Sequence, residues 1–243
     1  MSTRDADTDP ETDIVGPGAR AVSGAVLVGL LAIGAVVLTV VVRRHGGLPL
    51  PMDAAVLGFL VDRRGPTSTA VLTVLTYVGG PVAMTVLGTG ATLWLAYRGY
   101  RAQAGWVAAV GLGGIVLVRV GKALVDRTRP PIEDHLVFVN NQAFPSGHAL
   151  GSVTVLGALT AVLVGRLTAP RARAALITVA AVLVAAIAFS RLYLGVHWAS
   201  DVLGGWLYGG AWLGLCLMVA VRRGVLTRPS GSAPGDLSSK DRP

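Results

Sequence analysis

The chain has 243 residues, of which 53% are apolar and 14% charged, with a net charge of +8 and one cysteine. Apolar runs long enough to cross a bilayer recur along it, which excludes a soluble globular domain and indicates a polytopic membrane protein. The basic excess sits in short arginine clusters between apolar runs, a topology signal rather than a nucleic-acid surface, and a lone Cys216 excludes a disulfide framework or a cysteine-based zinc site.

Residues 1–20 are polar and acidic (Asp5, Asp7, Asp9, Glu11, Asp13) and are expected to form a disordered cytoplasmic tail. The first span runs from Ala21 to Val42 and ends at Arg43-Arg44-His45; it is too long and wrongly flanked for a signal peptide. Residues 46–66 are mixed, with Pro49, Pro51 and Pro66 breaking any long helix. The stretch from Thr67 to Tyr97 exceeds one straight span, and Gly79-Gly80-Pro81 interrupts it. It divides into a short interfacial or re-entrant helix over 67–78 and a second span over 81–97. The third span covers 104–125 and a polar loop 126–147. The fourth, fifth and sixth spans cover 148–165, 174–190 and 198–221. Residues 222–243, rich in Ser, Pro and Gly, read as a second disordered cytoplasmic tail. The expected fold is all-α: one bundle of six transmembrane helices over residues 21–221, without internal repeats.

Span parity brings distant polar residues together. Lys122, Arg127 and Arg129 close the third span, Pro145-Ser146-Gly147-His148 opens the fourth, Ser190-Arg191 closes the fifth, and His197 and Asp201 open the sixth. Successive helices alternate direction, so these four segments share one membrane face. The opposite loops carry Arg98 and Arg101, then Arg166, Arg171 and Arg173, then Arg222, Arg223 and Arg228, which makes them cytoplasmic. The polar cluster then faces the extracytoplasmic side, although Arg43, Arg44, Arg63 and Arg64 fall on that side against the rule.

Each of these residues alone has an ordinary reading. A basic residue at a span end commonly snorkels to lipid headgroups, and a His–Asp pair four apart is commonly structural. Together they describe a phosphoryl-transfer site. Lys122, Arg129 and Arg191 supply charge for phosphate oxygens. Ser146 is placed to cap the fourth span, where Gly147 and the backbone amides of the helix start suit an anion. Asp201, one turn from His197, can hold one imidazole nitrogen and leave the other to attack phosphorus. His148 can protonate the leaving oxygen and then activate water. Metal binding by the histidines is disfavoured because the crowded cations would repel a divalent ion. Asp126, Glu133, Asp134 and His135 read as a solvated loop rather than a metal site.

With these residues in place, the chain resembles the type 2 phosphatidic acid phosphatase superfamily, which also includes the vanadium haloperoxidases and glucose-6-phosphatase. Three motifs carry the resemblance: Lys122, six residues, then Arg129-Pro130; Pro145-Ser146-Gly147-His148; and Ser190-Arg191, five residues, His197, three residues, Asp201. The resemblance implies His197 as nucleophile, Asp201 as its partner and His148 as acid/base. It implies Lys122, Arg129, Ser146, Gly147 and Arg191 as phosphate ligands, no metal or other cofactor, and inhibition by vanadate. It further implies a bacterial plasma-membrane enzyme acting at the outer face on a lipid phosphate, such as undecaprenyl pyrophosphate, phosphatidylglycerol phosphate or phosphatidic acid. The expected partners are that substrate and membrane lipids, with no nucleic acid; oligomeric state has no sequence signal. Two alternatives stand beside this: a non-catalytic lipid-phosphate binder or transporter, which would need only the cations, and a vanadate-dependent haloperoxidase, whose known relatives are soluble.

Overall fold

The structure, a computed structural model, describes residues 17–226. It holds eight α-helices: α1 (Pro17–Arg44), α2 (Pro51–Val61), α3 (Pro66–Val78), α4 (Pro81–Tyr97), α5 (Arg101–Val125), α6 (Gly147–Val164), α7 (Pro170–Tyr193) and α8 (Ala199–Arg222), with one 3-10 turn at Ile132–Asp134 and no strand among the described residues. Proline opens α2, α3, α4 and α7. Its fixed φ suits the first helical position, and its missing N–H would have no intrahelical partner there.

Five helices, α1, α5, α6, α7 and α8, are long and apolar enough to cross a membrane. A sixth crossing arises if α3 and α4 are one span, bent by 42° where Gly79 and Gly80 separate them. The protein is thus a multi-pass membrane helix bundle. Valine and leucine side chains such as Val26, Leu30, Val74 and Leu112 are exposed. That is the expected arrangement when hydrocarbon is the solvent and helices must satisfy their own backbone.

Several boundaries differ from the sequence reading. α1 starts four residues earlier, at Pro17, inside the expected tail, and α7 runs from Pro170 to Tyr193, past both expected ends of the fifth span. Arg191, expected to close the fifth span, lies in the last turn of α7. α2 was not anticipated: the prolines around it mark helix starts, not an absence of helix. Residues 223–226 form a turn rather than the start of a tail. The disorder expected for 1–16 and 227–243 lies outside the described residues.

α8 packs along α1 and α6, α6 is also flanked by α5 and α7, and α2 lies against the ends of α7 and α8. Without a hydrophobic drive between helices in lipid, close backbone approach through small residues supplies the packing. A Cβ on Gly205 of α8 would stand 2.8 Å from both the Ala149 Cβ and the Ser146 carbonyl oxygen of α6. Gly113 of α5 likewise leaves room for the Trp212 ring, which a Cβ would overlap.

Gly205→Ala is expected to cost about 1–3 kcal/mol by overpacking, read as a lower thermal midpoint in detergent. Gly90→Ala, where a Cβ meets nothing within 4 Å, should leave the midpoint unchanged or raise it. Equal midpoints for the two variants would contradict this account of the α6–α8 contact.

Candidate active site

Three segments converge at the end of the bundle where α5 and α7 finish and α6 and α8 begin. α5 ends because Asp126 adopts a left-handed conformation (φ 48°), with its N–H on the Lys122 carbonyl at 3.0 Å. Asp126 is one of the few residue types that tolerate this conformation. From there Arg127 turns into the protein interior, and the following loop returns when the Ala143 N–H bonds the Arg127 carbonyl at 2.9 Å. A second turn, at Gly195 (φ 70°), links α7 to α8 and delivers His197. A side chain there would be strained and would overlap the Asp134 carbonyl oxygen, so the position demands glycine. The opening of α6 is tied to α8 by the Ser146 N–H on the Asp201 carbonyl at 3.0 Å.

His197 is buried, with Nδ1 3.3 Å from Asp201 Oδ2 and Nε2 3.3 Å from Arg129 Nη1. Arginine has no acceptor, so Nε2 must be the lone-pair nitrogen in that contact and Nδ1 the protonated one facing the carboxylate. The same Oδ2 accepts the Trp198 N–H at 2.8 Å. Burial pushes the imidazole well below its usual pKa, and Arg129, Arg191, Lys122 and His148 reinforce the shift. His197 is therefore neutral at physiological pH.

The expected cations gather around it. Arg129 is held by its loop: Nε donates to the Asn141 carbonyl at 2.6 Å, Nη2 to Asn141 Oδ1 at 2.7 Å, and Nη1 to the Val196 carbonyl. Burial lowers its pKa to about 10, with the Asp201 carboxylate acting the other way, so it stays charged. Lys122 Nζ donates to Asn141 Oδ1 at 3.2 Å and to the Gln142 carbonyl. Arg191, also buried, donates from Nη1 to Thr76 Oγ1 of α3 at 2.6 Å. His148 sits beside the α3–α4 break: a Cβ on Gly80 would be 3.5 Å from its Nε2, and its ring interacts with the Thr76 backbone.

Ser146 occupies the N-cap position of α6 but makes no side-chain capping bond, contrary to expectation. Its Oγ is buried without a partner, as is the Nε of Arg191. Gly147 is not required by packing, since a Cβ there would make only ordinary contact, 3.5 Å from Val118. In the polar loop, Asp126 ends α5, and His135 Nε2 lies 3.0 Å from the Pro130 carbonyl. Among the described residues no group of three or more His, Cys, Asp or Glu side chains could hold a metal ion.

Sequence reasoning missed two participants, Asn141 and Asp53, and gave no role to Arg127, which span parity had placed on this face. Asn141 joins Lys122 to Arg129 and had no motif to mark it. Asp53 and Arg127 form a buried ion pair (Nη2 to Oδ2, 2.7 Å), and Arg127 Nη1 also donates to Asp201 Oδ1 at 2.6 Å. Burial alone would raise the Asp53 carboxyl, but hydrogen bonds from Ser200, Leu50 and Arg127 hold it below the ordinary carboxylate range. An acidic residue three positions into an otherwise apolar helix was the available signal. Arg64, which broke the positive-inside pattern, is also engaged: it donates to the Tyr193 carbonyl at 3.0 Å and the Asp134 carbonyl at 2.9 Å.

The depressed His197 pKa has a stability consequence. Below about pH 6.5 the unfolded chain binds a proton that the folded site refuses, so stability falls as pH falls, by up to about 1.4 kcal/mol per pH unit from this group. His197→Gln should show a shallower loss between pH 6.5 and 5 in detergent unfolding; parallel profiles would contradict a buried neutral imidazole.

The chain is similar to known proteins in sequence and in fold. The sequence profile of the PAP2 superfamily matches residues 102–224. An undecaprenyl-diphosphatase of Sulfolobus acidocaldarius is 38% identical over 109 residues, 41% of this chain and 46% of that protein. A phosphatidylglycerophosphatase B of Bacillus subtilis is 34% identical over 95 residues, 39% of this chain and 46% of that protein. The matched regions thus span about half the length of these curated relatives. Among solved structures, a transmembrane PAP2-type phosphatidylglycerolphosphate phosphatase from Bacillus subtilis shares the fold at a TM-score of 0.67 and 24% identity, covering 80% of this chain and 96% of that one. LpxE of Aquifex aeolicus does so at 0.55 and 19%, covering 71% and 96%. With the profile extending over half the chain and through all three motifs, the protein belongs to the PAP2 superfamily.

Proposed function

We propose that this protein is an integral-membrane lipid phosphatase that hydrolyses a phosphomonoester or pyrophosphate through a phosphohistidine at His197, without a metal ion. The observation that carries the reading is the His197 ring itself: Nδ1 faces Asp201, while the lone pair of Nε2 points to the cluster that holds Arg129. In the first step Nε2 forms a bond to phosphorus as the bond to the leaving oxygen breaks, and His148 gives that oxygen a proton. In the second step His148 takes a proton from water, whose oxygen attacks phosphorus as the N–P bond breaks, releasing phosphate and restoring both histidines.

Lys122, Arg129 and Arg191 would stabilise the charge on the equatorial oxygens. Ser146 Oγ and Arg191 Nε, buried donors without a protein partner, suit a phosphate oxygen, and Gly147 at the start of α6 lets one approach the backbone amides. The same cations would repel a divalent ion, which is the physical ground for a metal-free mechanism. The arginines of the opposite loops favour an extracytoplasmic active site in a bacterial plasma membrane. The named activities of the two curated relatives favour an isoprenoid diphosphate or a glycerolipid phosphate as substrate, with undecaprenyl pyrophosphate the first to test.

Purified protein is expected to release phosphate from one or more of undecaprenyl pyrophosphate, phosphatidylglycerol phosphate and phosphatidic acid, equally with and without chelator. His197→Ala should abolish release while still inserting. Near-normal turnover in that variant, or chelator-sensitive activity restored by a divalent ion, would overturn the mechanism. His148→Ala should lose about 10²–10⁴-fold on a lipid substrate and much less on p-nitrophenyl phosphate, whose leaving group needs no proton. Equal losses on both would remove His148 from the general-acid role.

A further inference from the structure

The Asp201 carboxylate has two oxygens with different duties. Oδ2 accepts the Trp198 N–H at 2.8 Å and faces His197 Nδ1 at 3.3 Å. Oδ1 accepts Arg127 Nη1 at 2.6 Å. Arg127 is itself gripped from other directions: Nη1 donates to Ser200 Oγ at 2.7 Å, and Nη2 to Asp53 Oδ2 at 2.7 Å and to the Leu48 carbonyl at 3.2 Å. Asp53 also accepts the Ser200 N–H at 2.8 Å, so α2 is bound directly to the start of α8. Arg127, Asp53, Ser200 and Asp201 are each no more than 1% exposed.

We propose that Arg127, anchored by Asp53 of α2, is a positioning residue for the reaction: it fixes the Asp201 carboxylate so that Oδ2 faces the His197 imidazole. The inference rests on the phosphohistidine reading above. A clamp that merely fastened α2 to the bundle would need Asp53 alone, whereas this guanidinium divides its fork between Asp53 and the carboxylate that orients the nucleophile. Both Nη atoms of Arg127 are committed to acceptors within this buried cluster, and its Nε is buried without a partner. With Oδ1 released, the carboxylate could rotate and His197 would lose its fixed tautomer.

Charge supports the same role. One guanidinium between two carboxylates leaves a single net negative charge beside His197. As Nε2 bonds to phosphorus and the leaving oxygen departs, the ring gains positive charge while its Nδ1 proton stays directed at Oδ2. The cluster opposes that charge with one negative charge rather than two, in a place where an unpaired carboxylate would be costly.

The test uses full-length protein in detergent with its best lipid phosphate. Arg127→Met together with Asp53→Asn keeps the net charge of the cluster and removes the grip on Oδ1. We expect kcat to fall about 10²-fold, the scale of a misplaced catalytic group, with KM within twofold and with the stabilisation of the fold by vanadate retained. Arg127→Lys, which keeps the charge but cannot span both carboxylates, should recover part of the lost kcat. A double variant within twofold of wild-type kcat, or one whose loss falls on KM and on the vanadate effect, would overturn the inference. If the double variant does not fold, Arg127→Lys decides alone: wild-type kcat would overturn the inference, and a selective loss of kcat would support it. Wild-type protein without lipid phosphatase activity would overturn the phosphatase reading and this inference together, whereas an active wild type with an indifferent double variant would remove this inference only.

Discussion

The Asp201 carboxylate is where the separate parts of the structure meet. It receives the Trp198 N–H at the start of α8, the imidazole of His197 and the guanidinium of Arg127. Its backbone carbonyl receives the Ser146 N–H at the start of α6. Through Arg127 it is joined to Asp53 of α2. A buried carboxylate is tolerable only when its charge is paired and its lone pairs are filled, so all these segments must be in register before the site exists.

The rest of the bundle can be understood as the support for that arrangement. Hydrocarbon solvates the valine and leucine surface but offers nothing to a polar group, so the buried charged side chains Asp53, Arg127, Arg191 and Asp201 gather at or beside helix ends. Close helix contact therefore depends on small residues, and the fit of Gly205 against Ala149 and the Ser146 carbonyl sets α6 against α8 within one turn of Asp201. The turn at Gly195 and the left-handed Asp126 then aim His197 and Arg127 into the same space from opposite chain directions.

Much of the candidate site was legible in the sequence because it lies in three local motifs and because alternating spans force their ends onto one face. Lys122, Arg129, His148, Arg191, His197 and Asp201 could be placed together on that ground. The all-helical membrane bundle was legible for a similar reason: hydropathy is a property of contiguous residues. What was not legible is equally specific. α2 was hidden by the same prolines that start it. Asp53 lies 147 residues from Ser200, to which it bonds, and no local pattern reports such a contact. The Ser146 hydroxyl looked like a helix cap, but it makes no capping bond and is buried without a partner, which no local pattern reports.

The sequence by itself determined the solvent of this protein, the approximate limits of its long apolar helices, and the chemical groups gathered at one end. These follow from run length, composition and spacing, which are one-dimensional. Only the tertiary structure decided which nitrogen of His197 carries the lone pair, which oxygen of Asp201 faces it, that Asn141 and Asp53 join the cluster, and that Arg127 pairs with both Asp53 and Asp201. Those facts depend on orientation and on contacts between residues far apart in the chain, and the physical cost of burying a charge unpaired is what selects them.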